Sequence, residues 1–248
     1  MKTAVITDVH ANREALQAVC EHAAARGVDR YALLGDFVGY GADPGWVVDT
    51  VRDMVQRGAV AVSGNHDAAV VHGAPESMRP EPRMAVDWTR RQLDAAQLAF
   101  LAALPLTQQR ANTLFVHANA WAPAEWDYIV GGDDAARSLQ ATPKQLTFCG
   151  HMHEPKLFHL AAGAATAGEF VPTPGVAIRL SAARQWLVIP GSTGQPRDGD
   201  PAACYAVHDD VEATITYWRV PYDVETAAAK IRAAHLPARL ADRLFHGR

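Results

Sequence analysis

Residues 4–10 read AVITDVH, a short apolar run that passes straight into a carboxylate, Asp8, and an imidazole, His10. A continuous apolar run of this length, bounded by polar residues, reads as a buried strand over 4–7. Working outward, residues 13–25 carry a helical pattern ended by Gly27, and residues 30–34 form a second strand. Residues 44–57 follow as a helix with Pro44 at its start and Gly58 just past its end, and 59–62 as a third strand. Strand and helix alternating at this spacing predict βαβ units with right-handed crossovers. Each strand ends in Asp, His, Asn or Gly: Asp8 and His10, then Gly35 and Asp36, then Gly64, Asn65, His66 and Asp67.

The rest of the chain is read the same way. Residues 82–103 predict two helices with Pro105 as the stop, and 113–116 a strand ending at His117. Residues 118–143 read as a long loop with one short helix, broken at Gly131, Gly132 and Asp133. A strand at 146–149 runs into Gly150 and His151, and further strands are expected at 156–160, 176–180, 186–189, 204–207 and 214–220. Helices at 224–234 and 237–245 close the chain. The first half is therefore α/β, and the second half a β meander with terminal helices. Residues 161–174, rich in Ala, Gly, Thr and Pro, are expected as an exposed excursion inside a single domain over 1–248.

Composition narrows the function. The chain has 248 residues, 49% hydrophobic and 20% charged, with 23 Lys and Arg against 27 Asp and Glu, net −4. At this length roughly 70–75% of the unfolded surface is buried on folding, so a core forms without disulfides or structural metal. No run of like charges occurs, which excludes dominant disorder and a polybasic tail, and makes duplex nucleic acid a poor partner. Cys20, Cys149 and Cys204 never approach a CxxC spacing, so neither a disulfide framework nor a thiolate zinc site is expected. No apolar run nears the ~20 residues of a spanning helix. The expectation is a cytoplasmic protein without signal peptide or membrane segment. The unusual count is eleven histidines.

Five clusters fall at strand ends: Asp8 with His10, Gly35 with Asp36, residues 64–67, His117, and residues 150–153. In open α/β sheets the carboxyl ends of strands form the ligand crevice, so clusters distant in sequence can converge there. Carboxylate, carboxamide and imidazole suit divalent Mn, Fe, Zn or Ni. In an extended segment residues i and i+2 point to one side, which would aim Asp8 with His10, and His151 with His153, at one site. Glycines 35, 64 and 150 permit sharp turns beside them. Any one of these residues alone reads as a solvated loop residue or a cap; together they would require seven coincidences.

Asp-x-His, Gly-Asp, Gly-Asn-His-Asp, a lone His and Gly-His-x-His, in that order between Asp8 and His153, closely resemble the calcineurin-like metallophosphoesterases. The resemblance implies a four-layer αββα sandwich of two mixed sheets, with helices outside and metals at one sheet edge. Carried over by position, Asp8, His10 and His153 would bind one metal, and Asn65, His117 and His151 a second. Asp36 would bridge them, since a carboxylate has two oxygens to share. Asn65 would offer its carbonyl oxygen to metal and its amide to phosphate. His66 would be the general acid, with Asp67 either orienting it or capping a helix that starts near Ala68. The implied cofactors are two divalent ions, Mn, Fe, Zn, Ni or Co with Mn or Fe favoured, about 3.5–4 Å apart. A hydroxide between them would attack phosphorus in line, with no covalent phosphoenzyme.

The sequence departs from the family pattern in two places. The Asp-Arg pair of many members, four and five residues after the bridging residue's glycine, reads Gly39 and Tyr40, and His117 precedes Ala118 instead of Gly. Both differences point away from protein serine/threonine phosphatases. They point towards small bacterial metallophosphoesterases related to phosphodiesterases and diadenosine-tetraphosphate hydrolases. The block PGSTGQPRD at 190–198 is similar to a Pro-Gly-Ser segment of that branch. Within it Arg197 reads either as a bidentate phosphate clamp or as a solvated turn residue, and Ser192 has no base placed for it. Tyr40, Trp46, Trp121, Trp126 and Tyr128 read as a nucleobase-stacking wall or as packing. The implied partner is a small phosphorylated substrate of nucleotide type, a mono- or diester. An inert, metal-free scaffold would have lost ligands, whereas every ligand position here is filled.

Overall fold

The computed structural model of the chain describes residues 1–76 and 78–248. Its first three strands, β1 (Lys2–Ile6), β2 (Arg30–Leu33) and β3 (Val60–Ala61), are parallel neighbours. They are joined by α1 (Arg13–Ala25) and α2 (Pro44–Gln56). Asn12 starts α1 by accepting from Ala15 N, and Pro44 opens α2, where its missing N–H costs nothing. Three helices follow, α3 (Asn65–His72), α4 (Pro80–Gln92) and α5 (Ala95–Ala102), the last begun by a reciprocal Asp94–Gln97 capping box. Next come β4 (Thr107–Arg110), β5 (Thr113–Val116), α6 (Gly132–Gln140), β6 (Leu146–Phe148), β7 (Pro155–Ala161), β8 (Gly168–Phe170) and β9 (Ala177–Arg179). The chain ends with β10 (Arg184–Pro190), β11 (Ala203–Asp209), β12 (Thr214–Val220), α7 (Val224–Ala233) and α8 (Ala238–His246).

These strands make two mixed six-stranded sheets, ordered β3-β2-β1-β11-β12-β9 and β4-β5-β6-β10-β7-β8. Side-chain alternation shows how the layers stack. In β1, Ala4 and Ile6 face α1, α2 and α5, while Val5 faces the other sheet. In β10, Trp186 and Val188 enter the core between the sheets, while Leu187 and Ile189 pack outward with Ala135, Ala136 and Leu139 of α6. Among the described residues, three apolar cores lie between four layers, the αββα sandwich expected from the sequence, and a fourth cluster packs α7 and α8 on Tyr40.

The second half differs from the meander expected. β7 and β8 lie in the second sheet, β9 crosses to the first, β10 returns to the second, and β11 and β12 rejoin the first. The physical reason is that β10 is buried on both faces, which suits a central strand between β6 and β7 and not one strand of a solvated ladder. The excursion at 161–174 contains β8, a short edge strand paired with β7. β4, of sequence TQQR, is likewise a polar edge strand that no apolar pattern announces.

Candidate metal centre

The ends of β1, β2 and β3 meet those of β5 and β6 where the two sheets touch, and each ligand candidate follows one of these ends. Asp8 and His10 have φ of 52° and 49°, Asp36 52°, and His151 and His153 68° and 61°. All five lie in the left-handed region, which L residues avoid and which Asn, Asp and His tolerate best. The two i, i+2 pairs therefore converge through turns, not through the extended alternation that their spacing suggested. The turns hold one another: Asp8 N donates to Gly35 O at 3.1 Å and His10 N to Asp36 O at 2.9 Å. A Cβ at Gly64 would overlap Asp36, and one at Gly150 would overlap Thr7, so both loops close only on glycine.

Two sets of donor atoms form. Asp8, His10, Asp36 and His153 make one, and Asp36, His117 and His151 the other, each with its atoms within 4.8 Å of one another. His10 Nε2 lies 3.1 Å from His153 Nε2. His117 Nε2 lies 3.2 Å from His151 Nδ1 and 3.1 Å from Asn65 Oδ1, which joins the second set. Asp36 Oδ2 is 3.7 Å from His10 Nε2 and 3.5 Å from His117 Nε2. Its Oδ1 accepts from His66 N at 2.8 Å, where α3 begins. The carboxylate thus turns a single oxygen to both sets.

This donor set fits divalent ions. The Nδ1 atoms of His10, His117 and His153 sit 3.2, 2.7 and 2.6 Å from the carbonyl oxygens of Val38, Leu34 and Gln195. A carbonyl only accepts, so these Nδ1 atoms carry the hydrogen and all three rings aim Nε2 inward, as a lone pair wherever the ring is neutral. Lone pairs 3.1 Å apart repel unless a proton or cation lies between them. Two donors each about 2.1 Å from one ion, at angles of about 90–110°, stand roughly 3.0–3.4 Å apart.

The charge balance makes the same demand. Asp8 and Asp36 are 0% and 1% exposed. Burial alone would raise both carboxyls, but His153 and then His117 hold Asp8 below the usual range, and His117 and then His66 hold Asp36 well below it. Burial would lower His117, yet Asp36 lifts it to about 9. Burial lowers His10 and His153, and takes His151 down to about 3. Two buried carboxylates thus face mostly uncharged imidazoles, an arrangement that a bound cation completes.

His66 lies in the first turn of α3, its ring 4.5 Å from that of Tyr40 and edge-on to His10 at 5.0 Å. Its Nδ1 is buried without a hydrogen-bond partner among the described residues. A Cβ at Gly39 would stand 2.7 Å from that atom. Asp67 does not reach the ring. Its carboxylate accepts from Gly64 N and Phe37 N at 2.9 Å and from Val38 N at 3.2 Å, clamping the loop after β2 onto α3. The helix starts at Asn65 with Gly64 as N-cap, so Asp67 is its third residue and not the cap before Ala68. Burial, then Asp36, pushes its carboxyl up to about 7.

The centre opens on a cavity of about 980 Å³ lined by Asn65, His66, His151, Tyr40, Tyr128 and Arg197, among others. Arg197 extends over Tyr40 at 5.9 Å, with Nε buried and unpartnered. Of the five aromatic candidates, Tyr40, Trp126 and Tyr128 line this cavity. Tyr128 stacks on His151 at 4.1 Å and 14°. Trp46 and Trp121 pack instead under Arg13 and Arg137. Three supporting residues were given no role by the sequence. Thr7 Oγ1 donates to Asp8 Oδ2, Ser192 Oγ donates to Asp8 O, and the carbonyl of Gln195 orients His153. A carbonyl is offered by every residue type, so the Gln195 role leaves no trace in side-chain identity.

The chain matches the calcineurin-like phosphoesterase superfamily domain over residues 1–212. An uncharacterized protein of Methanocaldococcus jannaschii is 35% identical over 254 residues, covering 99% of this chain and 98% of that one. The crystal structure of a metallophosphoesterase from Sphaerobacter thermophilus is 36% identical with a TM-score of 0.89, covering 100% of this chain and 99% of that one. A hypothetical protein of Pyrococcus horikoshii, at 17% identity and a TM-score of 0.79 over 100% and 98% of the chains, shares the fold. With the domain match spanning most of its length, the chain belongs to the calcineurin-like phosphoesterase superfamily.

Proposed function

We propose that this protein hydrolyses small phosphate esters with two divalent ions, acting on nucleotide-type mono- or diesters. The observation that carries the reading is Asp36 Oδ2, buried and facing two histidine sets at once beside an open cavity. Asp8, His10 and His153 would hold one ion, Asn65, His117 and His151 the other, and Asp36 both. When bound, such a pair supplies a nucleophile at neutral pH and neutralises phosphoryl oxygens. Donors of nitrogen and oxygen without thiolate suit Mn, Fe, Zn, Ni or Co, among which we favour Mn or Fe.

The chain's own groups do the rest. Burial lowers the pKa of His66, which makes the protonated ring a readier proton donor: as imidazolium it gives up one proton and is left as neutral imidazole. With Nδ1 buried, Nε2 is the nitrogen on the cavity side, and it delivers a proton to the leaving oxygen. Tyr40 and His10 fix the plane of that ring, while Asp67 fixes the backbone beneath it. With Asn65 Oδ1 turned to His117, its amide is left to donate to a phosphoryl oxygen. Arg197 offers its guanidinium to a phosphate of the substrate from the cavity wall. The functional unit is residues 1–248 as one domain, because α7 and α8 pack on Tyr40 at the same cavity. We place it in the cytoplasm: the three cysteines are free, and no helix among the described residues is long and apolar enough to cross a membrane.

The test is a screen of freshly purified protein with added Mn across phosphomonoesters, phosphodiesters and dinucleoside polyphosphates, paired with elemental analysis. Hydrolysis of none of them by fully metal-loaded protein would refute the reading. His66→Asn is expected to retain metal and lose roughly 10²–10⁴ in turnover; wild-type turnover in that variant removes His66 from the mechanism.

A further inference from the structure

The cavity before the proposed centre is cationic in a protein that is acidic overall. The chain carries a formal −4, yet Arg79, Arg197, Arg239 and Arg243 line the cavity against Glu81 and Glu125. Glu81 lies 3.9 Å from Arg239. Among the described residues, no carboxylate comes within ion-pair distance of Arg197 or Arg243. Arg197 Nη2 donates to the uncharged Gln195 Oε1 at 3.0 Å, and its buried Nε has no hydrogen-bond partner among the described residues. A buried charged donor left without an acceptor is costly unless a ligand supplies one.

Both guanidiniums are held by built structure. Arg197 N donates to the carbonyl of His153 at 3.2 Å, so its position is tied to a proposed ligand. Arg243 stands in the last turn of α8, where the helix dipole favours a cation. Leu240, Ala241 and Leu244 of the same helix are buried in one cluster with Tyr40 and α7. Gly199 N donates to Gly247 O at 2.9 Å, fastening the loop of Arg197 to the end of that helix. Burial first, then Arg197, lowers the pKa of Arg243, so the two cations feel each other. Tyr40 and Glu81 act on Arg243 in the opposite sense but rank after Arg197, and an anion held between the two guanidiniums would relieve their repulsion. α8 also lies outside residues 1–212, the part that matches the superfamily domain.

We propose that Arg197 and Arg243 form a second anion subsite, which holds a phosphate beyond the one attacked at the metal centre. The favoured substrate is then an ester carrying a pyrophosphate or longer polyphosphate chain, a specificity that rests on the phosphoesterase reading above. A guanidinium meets phosphate through two parallel hydrogen bonds, which gives this contact direction as well as charge.

The test is calorimetric and needs no turnover. Methylenediphosphonate, with two phosphoryl groups, and methylphosphonate, with one, are titrated into Mn-loaded wild type, Arg243→Gln, Arg243→Lys and Arg197→Gln. Bound ions favour the diphosphonate in all four proteins, so the readout is the ratio of the two affinities relative to wild type. In Arg243→Gln that ratio is expected to fall about 10- to 100-fold. Arg243→Lys, which keeps the charge and loses the fork, is expected to fall less. Arg197→Gln, on a loop and not on the helix, carries the same expectation if the helix variant does not fold. An unchanged ratio in a folded glutamine variant overturns the subsite. If wild type hydrolyses no ester yet the ratio falls, the phosphoesterase reading fails and the subsite stands; if esters are hydrolysed and the ratio is unchanged, the subsite alone fails.

Discussion

Gly39→Ala separates the position of His66 from the metal ligands. Gly39 has φ +87°, and the three atoms nearest to a Cβ built there are all in His66, the closest being Nδ1 at 2.7 Å. Favourable contact requires about 3.5 Å, so the ring must move by roughly 0.5–0.8 Å. A left-handed alanine costs about 1–2 kcal/mol. For a chain of this size that lowers the melting temperature by roughly 2–8 °C. A misplacement approaching 1 Å at a reacting group costs up to about 10²-fold, so turnover is expected to drop about 10- to 100-fold. No ligand atom is among those nearest contacts, so metal content is expected to stay at the wild-type level. Calorimetry, elemental analysis and the turnover of an aryl phosphate at saturating Mn give the three numbers. Wild-type turnover in a protein that melts lower would show that the ring's position does not matter. Loss of metal would show that the loop serves the ligands instead.

Two further outcomes are expected. Asp36→Asn keeps an acceptor for His66 N but removes the charge shared by both sets, so both ions and all activity are lost together; full metal content by elemental analysis would refute the shared role. Chelation lowers the melting temperature: an ion at 100 times its Kd contributes about 2.7 kcal/mol, which is roughly 5–10 °C for this size. An unchanged melt would show that no ion binds the folded chain.

The strand-end clusters were legible because the chemistry of a site is written in side chains. Asp8, Asp36, His117, His151 and His153 stand after short apolar runs, and the runs themselves identify β1, β2, β5 and β6. What stayed hidden is written elsewhere. α3 begins at Asn65 behind Gly64, a cap with no side chain to announce it, so a proposed ligand and the proposed acid read as loop residues in the sequence. The crossing of β9 and the return of β10 follow from two-sided burial, which a single apolar run does not distinguish from a one-sided strand. The spacing argument for Asp8 and His10 reached the right convergence through the wrong geometry, since left-handed backbone is invisible in a sequence of Asp and His.

The segment 191–202, which the sequence marks by its Pro-Gly-Ser resemblance and by Arg197, also explains how the site stays in register. It leaves β10 in one sheet and enters β11 beside β1 in the other, and on the way it touches both ligand loops. Thr193 N donates to Thr7 O, Gly194 N to Asp8 O at 2.9 Å, and Ser192 Oγ also reaches Asp8 O, at 2.8 Å. Gln195 gives its carbonyl to His153 and its side chain to Arg197. One stretch of backbone therefore fixes Asp8 from the first sheet, His153 from the second, and the arginine over the cavity. Proposed ligands that come from two sheets would otherwise shift whenever the sheets slide, and an error of about 0.5 Å is enough to spoil a constellation of this kind. Five proposed ligand positions in left-handed backbone, each costing of the order of 1–3 kcal/mol, persist only where the surroundings over-determine them. The crossing between sheets supplies that constraint, which makes the topology of the second half a requirement of the site.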